Sequence, residues 1–308
     1  MRIKMLVYVV WAFVLALGVQ SCHQPDVLPE AVRYPILFGS SDSRAVATKD
    51  NLKTEGFRVH AYFKGEGEGA GAATFDHNVN YHKVNNQDIW ALSSPEYWIP
   101  GVTYWFKAFY PKDLAVDITI NDAASQSYSI NDYDIRTQTD IMVASSDDLA
   151  VPADGDAPTS GSVVDLDFQH LLANVTIKAK SQIDGVIIQK IVIGRADTNS
   201  TYNGSVWNLS GNTTTLEYSQ PTTLTKGAEF VDVTNGGILV IPASANNKTL
   251  TIQANKTYKL KFPTGTWESG KRYTYTLEIK QDDIIFVDDA PYVEEWDSEN
   301  ATGSVIIK

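Results

Sequence analysis

The side chain with the most defined chemistry in this sequence is Cys22, the only cysteine among 308 residues. It closes the string Val19-Gln20-Ser21-Cys22, after an uncharged apolar run from Met5 to Val19 that follows Arg2 and Lys4. A basic start, a short apolar centre and small residues before a cut describe a secretory signal peptide. The run falls short of the ~20 apolar residues that a spanning helix needs. The string has the form of a lipobox, in which a peptidase cuts before the cysteine and the thiol carries lipid. Residues 1–21 are therefore expected to be removed, leaving the mature chain anchored to a membrane through Cys22. Firm attachment takes more than one acyl chain. A single cysteine also excludes a disulfide framework.

Other reactive side chains do not assemble into a known catalytic pattern. The sequence has no Gly-x-Ser-x-Gly elbow, no His-Glu-x-x-His, no phosphate-cradling loop and no dinucleotide fingerprint. His23, His60, His77, His82 and His170 are scattered, without the spacing of a metal site. The acidic clusters Asp147-Asp148, Asp154-Gly155-Asp156, Asp282-Asp283 and Asp288-Asp289 do not match a calcium loop and read as solvated turns. No enzyme activity, metal or cofactor is expected.

Charge points the same way. Lys and Arg number 25 against 37 Asp and Glu, a net charge of −12; losing Arg2 and Lys4 with the signal peptide makes it −14. Such a surface repels nucleic acid and anionic lipid headgroups. The remaining candidates are aromatic: Trp90, Tyr97, Trp98, Tyr104, Trp105, Phe106, Phe109 and Tyr110 are dense enough to form a sugar-stacking platform. In a strand, Tyr104, Phe106, Ala108 and Tyr110 share one face, which reads as core. A Trp90–Trp98 patch stays open as a glycan contact.

The elements that would position these residues are β-strands. Short runs rich in Val, Ile, Thr, Tyr and Phe alternate with Gly, Asn, Asp and Ser clusters. The runs are Phe57 to Phe63, Tyr104 to Tyr110, Asn174 to Lys180, Val186 to Ile193, Gly237 to Ile241, Thr249 to Ala254 and Tyr273 to Lys280. One helical turn is expected, from Phe168 to Ala173. Gly65 to Gly71 and Ser145 to Ser162 read as loops. Many short strands with turns between them indicate an all-β protein built of sandwiches. Length favours about two domains, with the boundary near Ser181 to Gly185. This gives an N-terminal sandwich at 45–182 and a C-terminal one at 183–308.

Longer strings carry a resemblance. Asp140-Ile141-Met142-Val143-Ala144-Ser145 precedes Val164-Asp165-Leu166-Asp167-Phe168-Gln169-His170-Leu171-Leu172-Ala173-Asn174-Val175. Trp267-Glu268-Ser269-Gly270-Lys271-Arg272-Tyr273-Thr274-Tyr275-Thr276-Leu277 follows later, and Trp98-x-Pro100 stands before the aromatic strand ending in Tyr110-Pro111. In order and spacing the chain resembles the Mfa-like fimbrillin family of Bacteroidetes-type bacteria. That resemblance implies two transthyretin-like β-sandwich domains in tandem. It also implies a role as a subunit of surface fimbriae, exported as an outer-membrane lipoprotein and supporting adhesion with other fimbrial subunits.

In similar pilins an arginine-specific protease removes an N-terminal strand, and a strand from a neighbouring subunit fills the groove. Here Val32, Tyr34, Ile36 and Phe38 alternate, so 31–39 forms a strand with one apolar face. The turn Ser40-Ser41-Asp42-Ser43 leads to Arg44, and a cut between Arg44 and Ala45 removes the lipid and the strand (residues 22–44) together. Arg33 is a poorer site because most of the strand stays behind. Val305-Ile306-Ile307 near the C-terminus is either the donor strand of a stalk subunit or the last strand of the second sandwich. Stalk, tip and anchor roles all remain open, and the rival reading is a lipid-anchored glycan-binding module of a polysaccharide-uptake system.

Overall fold

The structure, a computed structural model, describes residues 34–39, 48–65, 74–84, 87–122, 125–146, 148–153 and 163–296. The signal peptide, Cys22, Val32, Arg44, Ala45, Val305, Ile306 and Ile307 lie outside the described residues.

Period-2 alternation organises the first half. Strand β1 is Leu37–Gly39, β2 Phe57–Gly65, β3 Thr74–Val84, β4 Gln87–Leu92 and β5 Val102–Tyr110. β6 is Asp117–Asp122, β7 Ser125–Tyr133, β8 Met142–Ser145, β9 Leu149–Ala150, β10 Val163–Asp165, β11 Gln169–His170 and β12 Ala173–Ser181. Nine of these make one sheet in the order β10-β1-β4-β3-β2-β5-β8-β11, with β9 beside β5. Tyr104, Phe106, Ala108 and Tyr110 on β5, and Phe57, Val59 and Ala61 on β2, send one face into a core with Leu92, Met142 and Phe168. The alternation of aromatics that reads as core in the sequence is core here.

The second half has its own core. β12 runs parallel to Lys271–Ile279 in register from Asn174↔Arg272 to Ser181↔Ile279, and also pairs with Val231–Asp232 and Ile238–Val240. Lys190–Asp197, Thr213–Tyr218, Thr249–Gln253 and Thr257–Lys261 build a facing four-stranded sheet. Apolar side chains from both, such as Val175, Ile177, Ile193, Leu250 and Leu277, meet between them. The expected run Val186 to Ile193 divides into Val186–Ile188 and Lys190–Asp197, which pair with different strands.

Three features differ from the sequence reading. Phe168 to Ala173 is not helical: β11 pairs with β8 through Gln169↔Val143, and the Leu171 amide donates to the Ile141 carbonyl at 3.0 Å. Tertiary pairing there outweighs local preference. A helix, α1, instead spans Thr48–Glu55 and buries Leu52. Gly56 ends it, at φ +72°, with its amide donating to the Leu52 carbonyl at 2.9 Å, a left-handed cap that favours glycine. Finally, β12, which precedes the expected boundary at 182, is part of the second core. The hairpin of β6 and β7 also serves that core: Tyr128, Ile130 and Tyr133 lie in it, and β7 pairs with Ser200–Tyr202.

Candidate functional site

The candidate site is the slot that holds the first described strand. Residues 34–38 enter between two neighbours that lie far away in sequence. On one side Leu37 and Phe38 pair antiparallel with Ala91 and Trp90 of β4. On the other, Leu37, Phe38 and Gly39 pair parallel with Val163, Val164 and Asp165 of β10. Before β4 takes over, Pro35 bridges Tyr97, the Ile36 amide donates to the Glu96 carbonyl at 2.9 Å, and the Trp98 amide donates to the Tyr34 carbonyl at 3.0 Å. β10 lies at the sheet's edge, so only β1 joins it to the rest of the sheet among the described residues.

Side chains fix the register. Ile36 and Phe38 are buried, Tyr34 is half-buried against the same core, and Pro35 is exposed. Phe38 meets Phe106 edge-on at 5.4 Å and Phe57 at 6.4 Å. Each buried side chain of this size contributes about 1.5–3 kcal/mol relative to exposure. A slip by one residue would turn Leu37 and Pro35 inward and expose Phe38.

The floor of the slot is aromatic. Trp98 packs edge-on against Tyr104 at 5.0 Å and Phe106 at 6.0 Å, and Trp90 lies 5.4 Å from Tyr81. The Tyr104 hydroxyl accepts from the Ile99 amide at 3.2 Å; burial pushes its pKa up to about 12. Trp90 and Trp98 are 1% and 6% exposed. They are core residues, so the Trp90–Trp98 patch left open as a glycan contact does not exist. Tyr97 and Ile99, which flank Trp98, are exposed.

The described histidines do not converge. His77 stacks on Phe75 at 5.3 Å, with its Nε2 3.1 Å from Glu96 Oε1. His170 is buried, with Nδ1 2.8 Å from Asp140 Oδ2 and its ring stacked 3.8 Å from Trp296. Burial lowers the pKa of His60, and His82 is exposed. Among the described residues no three His, Cys, Asp or Glu side chains group to hold a metal ion. No helix among them is long and apolar enough to cross a membrane.

Sequence reasoning placed Tyr34, Ile36 and Phe38 on one face but missed β10, because a three-residue strand beyond a polar loop carries no periodic signal. The signal for Glu96 to Trp98 as a wall of the slot was equally absent, since those residues form no regular strand.

A family model described as fimbrillin-like matches residues 43–296. Among solved structures, a fimbrial protein from Bacteroides vulgatus superposes with a TM-score of 0.58 at 14% identity, over 86% of this chain and 100% of its own. A candidate cell adhesion protein from Bacteroides uniformis gives 0.54 at 17%, over 87% and 99%. A similar one from Bacteroides ovatus gives 0.54 at 15%, over 86% and 98%. At these identities the likeness is one of fold. No curated protein sequence matches the chain.

Proposed function

The chain belongs to the fimbrillin-like family, and from that premise we propose that it is a fimbrial subunit on the cell surface that polymerises by strand exchange. The leading strand holds the groove shut until an arginine-specific protease cuts between Arg44 and Ala45. The released piece carries Cys22 and its lipid away with Val32, Tyr34, Ile36 and Phe38. A strand from a neighbouring subunit then takes the slot, supplied in a stalk role by Val305, Ile306 and Ile307. Before the cut, the lipid on Cys22 holds the precursor at the outer membrane.

The observation that carries this reading is the placement of residues 34–39 between β4 and β10. A strand paired on both sides leaves two unpaired backbone edges and an apolar trench when it goes. Such a slot is suited to strand addition, in which backbone bonds give strength and alternate side chains give register. The two cores support two transthyretin-like sandwiches in tandem. The glycan-binding alternative loses its main support with the burial of Trp90 and Trp98.

The test is limited digestion of the folded precursor, with Cys22 replaced by Ser, using an arginine-specific protease. The expected result is one cut, Ala45 as the new N-terminus, and multimer ladders that resist SDS. A chain that stays whole, or is cut without forming multimers, argues against the proposal.

A further inference from the structure

The leading strand leaves part of its slot unsatisfied. The indole N–H groups of Trp90 and Trp98 are buried and meet no acceptor among the described residues. Three other indoles are paired: Trp267 donates to the Tyr275 hydroxyl at 3.0 Å, Trp207 to the Leu171 carbonyl at 2.8 Å, and Trp105 to Asp148. The two orphans are the two that border the leader. Trp90 is the cross-strand partner of Phe38 and so shares its inward face. The Trp98 amide donates to the Tyr34 carbonyl, and its ring packs on Phe106, which in turn meets Phe38. Of the inward leader side chains, Ile36 and Phe38 are hydrocarbons, and the Tyr34 hydroxyl accepts from neither indole.

A buried donor without a partner costs more than a made bond gains. We infer that this slot is specified for a partner strand whose inward face interleaves aliphatic side chains with a hydroxyl or amide oxygen, and that Trp90 and Trp98 read that oxygen. The inference rests on the strand-exchange reading and names the chemistry of the occupant. The leader is then a placeholder held by shape and backbone pairing, and the incoming strand wins by adding the side-chain hydrogen bonds. In a strand formed by the C-terminal residues, Thr302, Ser304 and Ile306 would share one face, so a second copy can present the pattern.

The experiment uses the full precursor, cut after Arg44 while folded, and synthetic nine-residue strands on the template of residues 31–39. Peptides carry Thr or Val in turn at positions 34, 36 and 38. Thr and Val are alike in shape and differ by a hydroxyl in place of a methyl, so ordinary apolar burial favours Val. The expected result is that at one or more of these positions Thr binds about fivefold or more tighter than Val, as one net hydrogen bond of about 1 kcal/mol implies. The indole N–H resonance of the reading tryptophan should move downfield in the Thr complex. Trp90→Phe or Trp98→Phe should then erase the preference while aliphatic peptides still bind. If Val wins at every position, the inference is overturned and strand exchange stands. If the cut protein binds no strand, including the leader peptide itself, it is strand exchange that falls.

Discussion

At the scale of single residues, the leader is held by few side chains, and Phe38 is the larger of the two that are buried. Phe38→Ala in the uncut chain removes its edge-on contacts with Phe57 and Phe106 and should cost about 3–5 kcal/mol, read as a lower denaturation midpoint. After the cut the leader is gone, so variant and parent should assemble alike. Elsewhere a carboxylate sets part of the acid limb. Side-chain hydrogen bonds from Arg136 hold Asp134 down at about 2 against the opposing cost of burial, helped by the Arg136 amide and the Thr198 hydroxyl. A depressed carboxylate stabilises the fold above its ordinary value near 3.8, and the contribution is lost as pH falls through about 2. Asp134→Asn should therefore be less stable than the parent at pH 7, with the gap closing between about pH 4 and pH 2 in urea titrations. These side chains also show what a sequence can carry. The inward set Tyr34, Ile36 and Phe38 is legible because strand periodicity is local. The orphaned indoles are not, since whether a tryptophan finds an acceptor depends on neighbours far along the chain.

At the scale of elements, the two cores are tied by pieces of the first half that serve the second. β7 pairs with Ser200–Tyr202, and Tyr128, Tyr202, Trp207 and Tyr133 form a chain of ring contacts between 5.4 and 6.0 Å. Beyond β7, Gln138 acts as a short strand substitute. Its Nε2 donates to the Leu239 carbonyl at 3.0 Å and its Oε1 accepts from the Leu239 amide at 2.9 Å. Gln138→Ala strands both groups and should lower stability by about 1–3 kcal/mol, with the Leu239 amide losing protection from hydrogen exchange. The strands themselves were largely readable: the run Phe57 to Phe63 lies inside β2, and Tyr104 to Tyr110 inside β5. The helix Thr48–Glu55 was not, because TKDNLKTE has one apolar residue and no amphipathic stripe. The pairing of β7 with a strand some 70 residues later was hidden for the opposite reason: nothing local encodes it.

At the scale of the whole molecule, an all-β chain of the fimbrillin-like family presents a slot closed by the first strand among its described residues. In the proposed strand exchange this strand must leave before another can enter, and a reversible lock on it separates the two events. Leu37 and Ala91 are opposed across β1 and β4 and are both partly exposed, a spacing within reach of a disulfide. The measurement is multimer formation by Leu37→Cys/Ala91→Cys, in a Cys22→Ser background, after arginine-specific cleavage with and without reductant. The account predicts that the oxidised protein is cut but stays monomeric, and that reduction releases the leader and restores the ladder. Equal ladders in both states would show that assembly does not pass through this slot and would contradict the account.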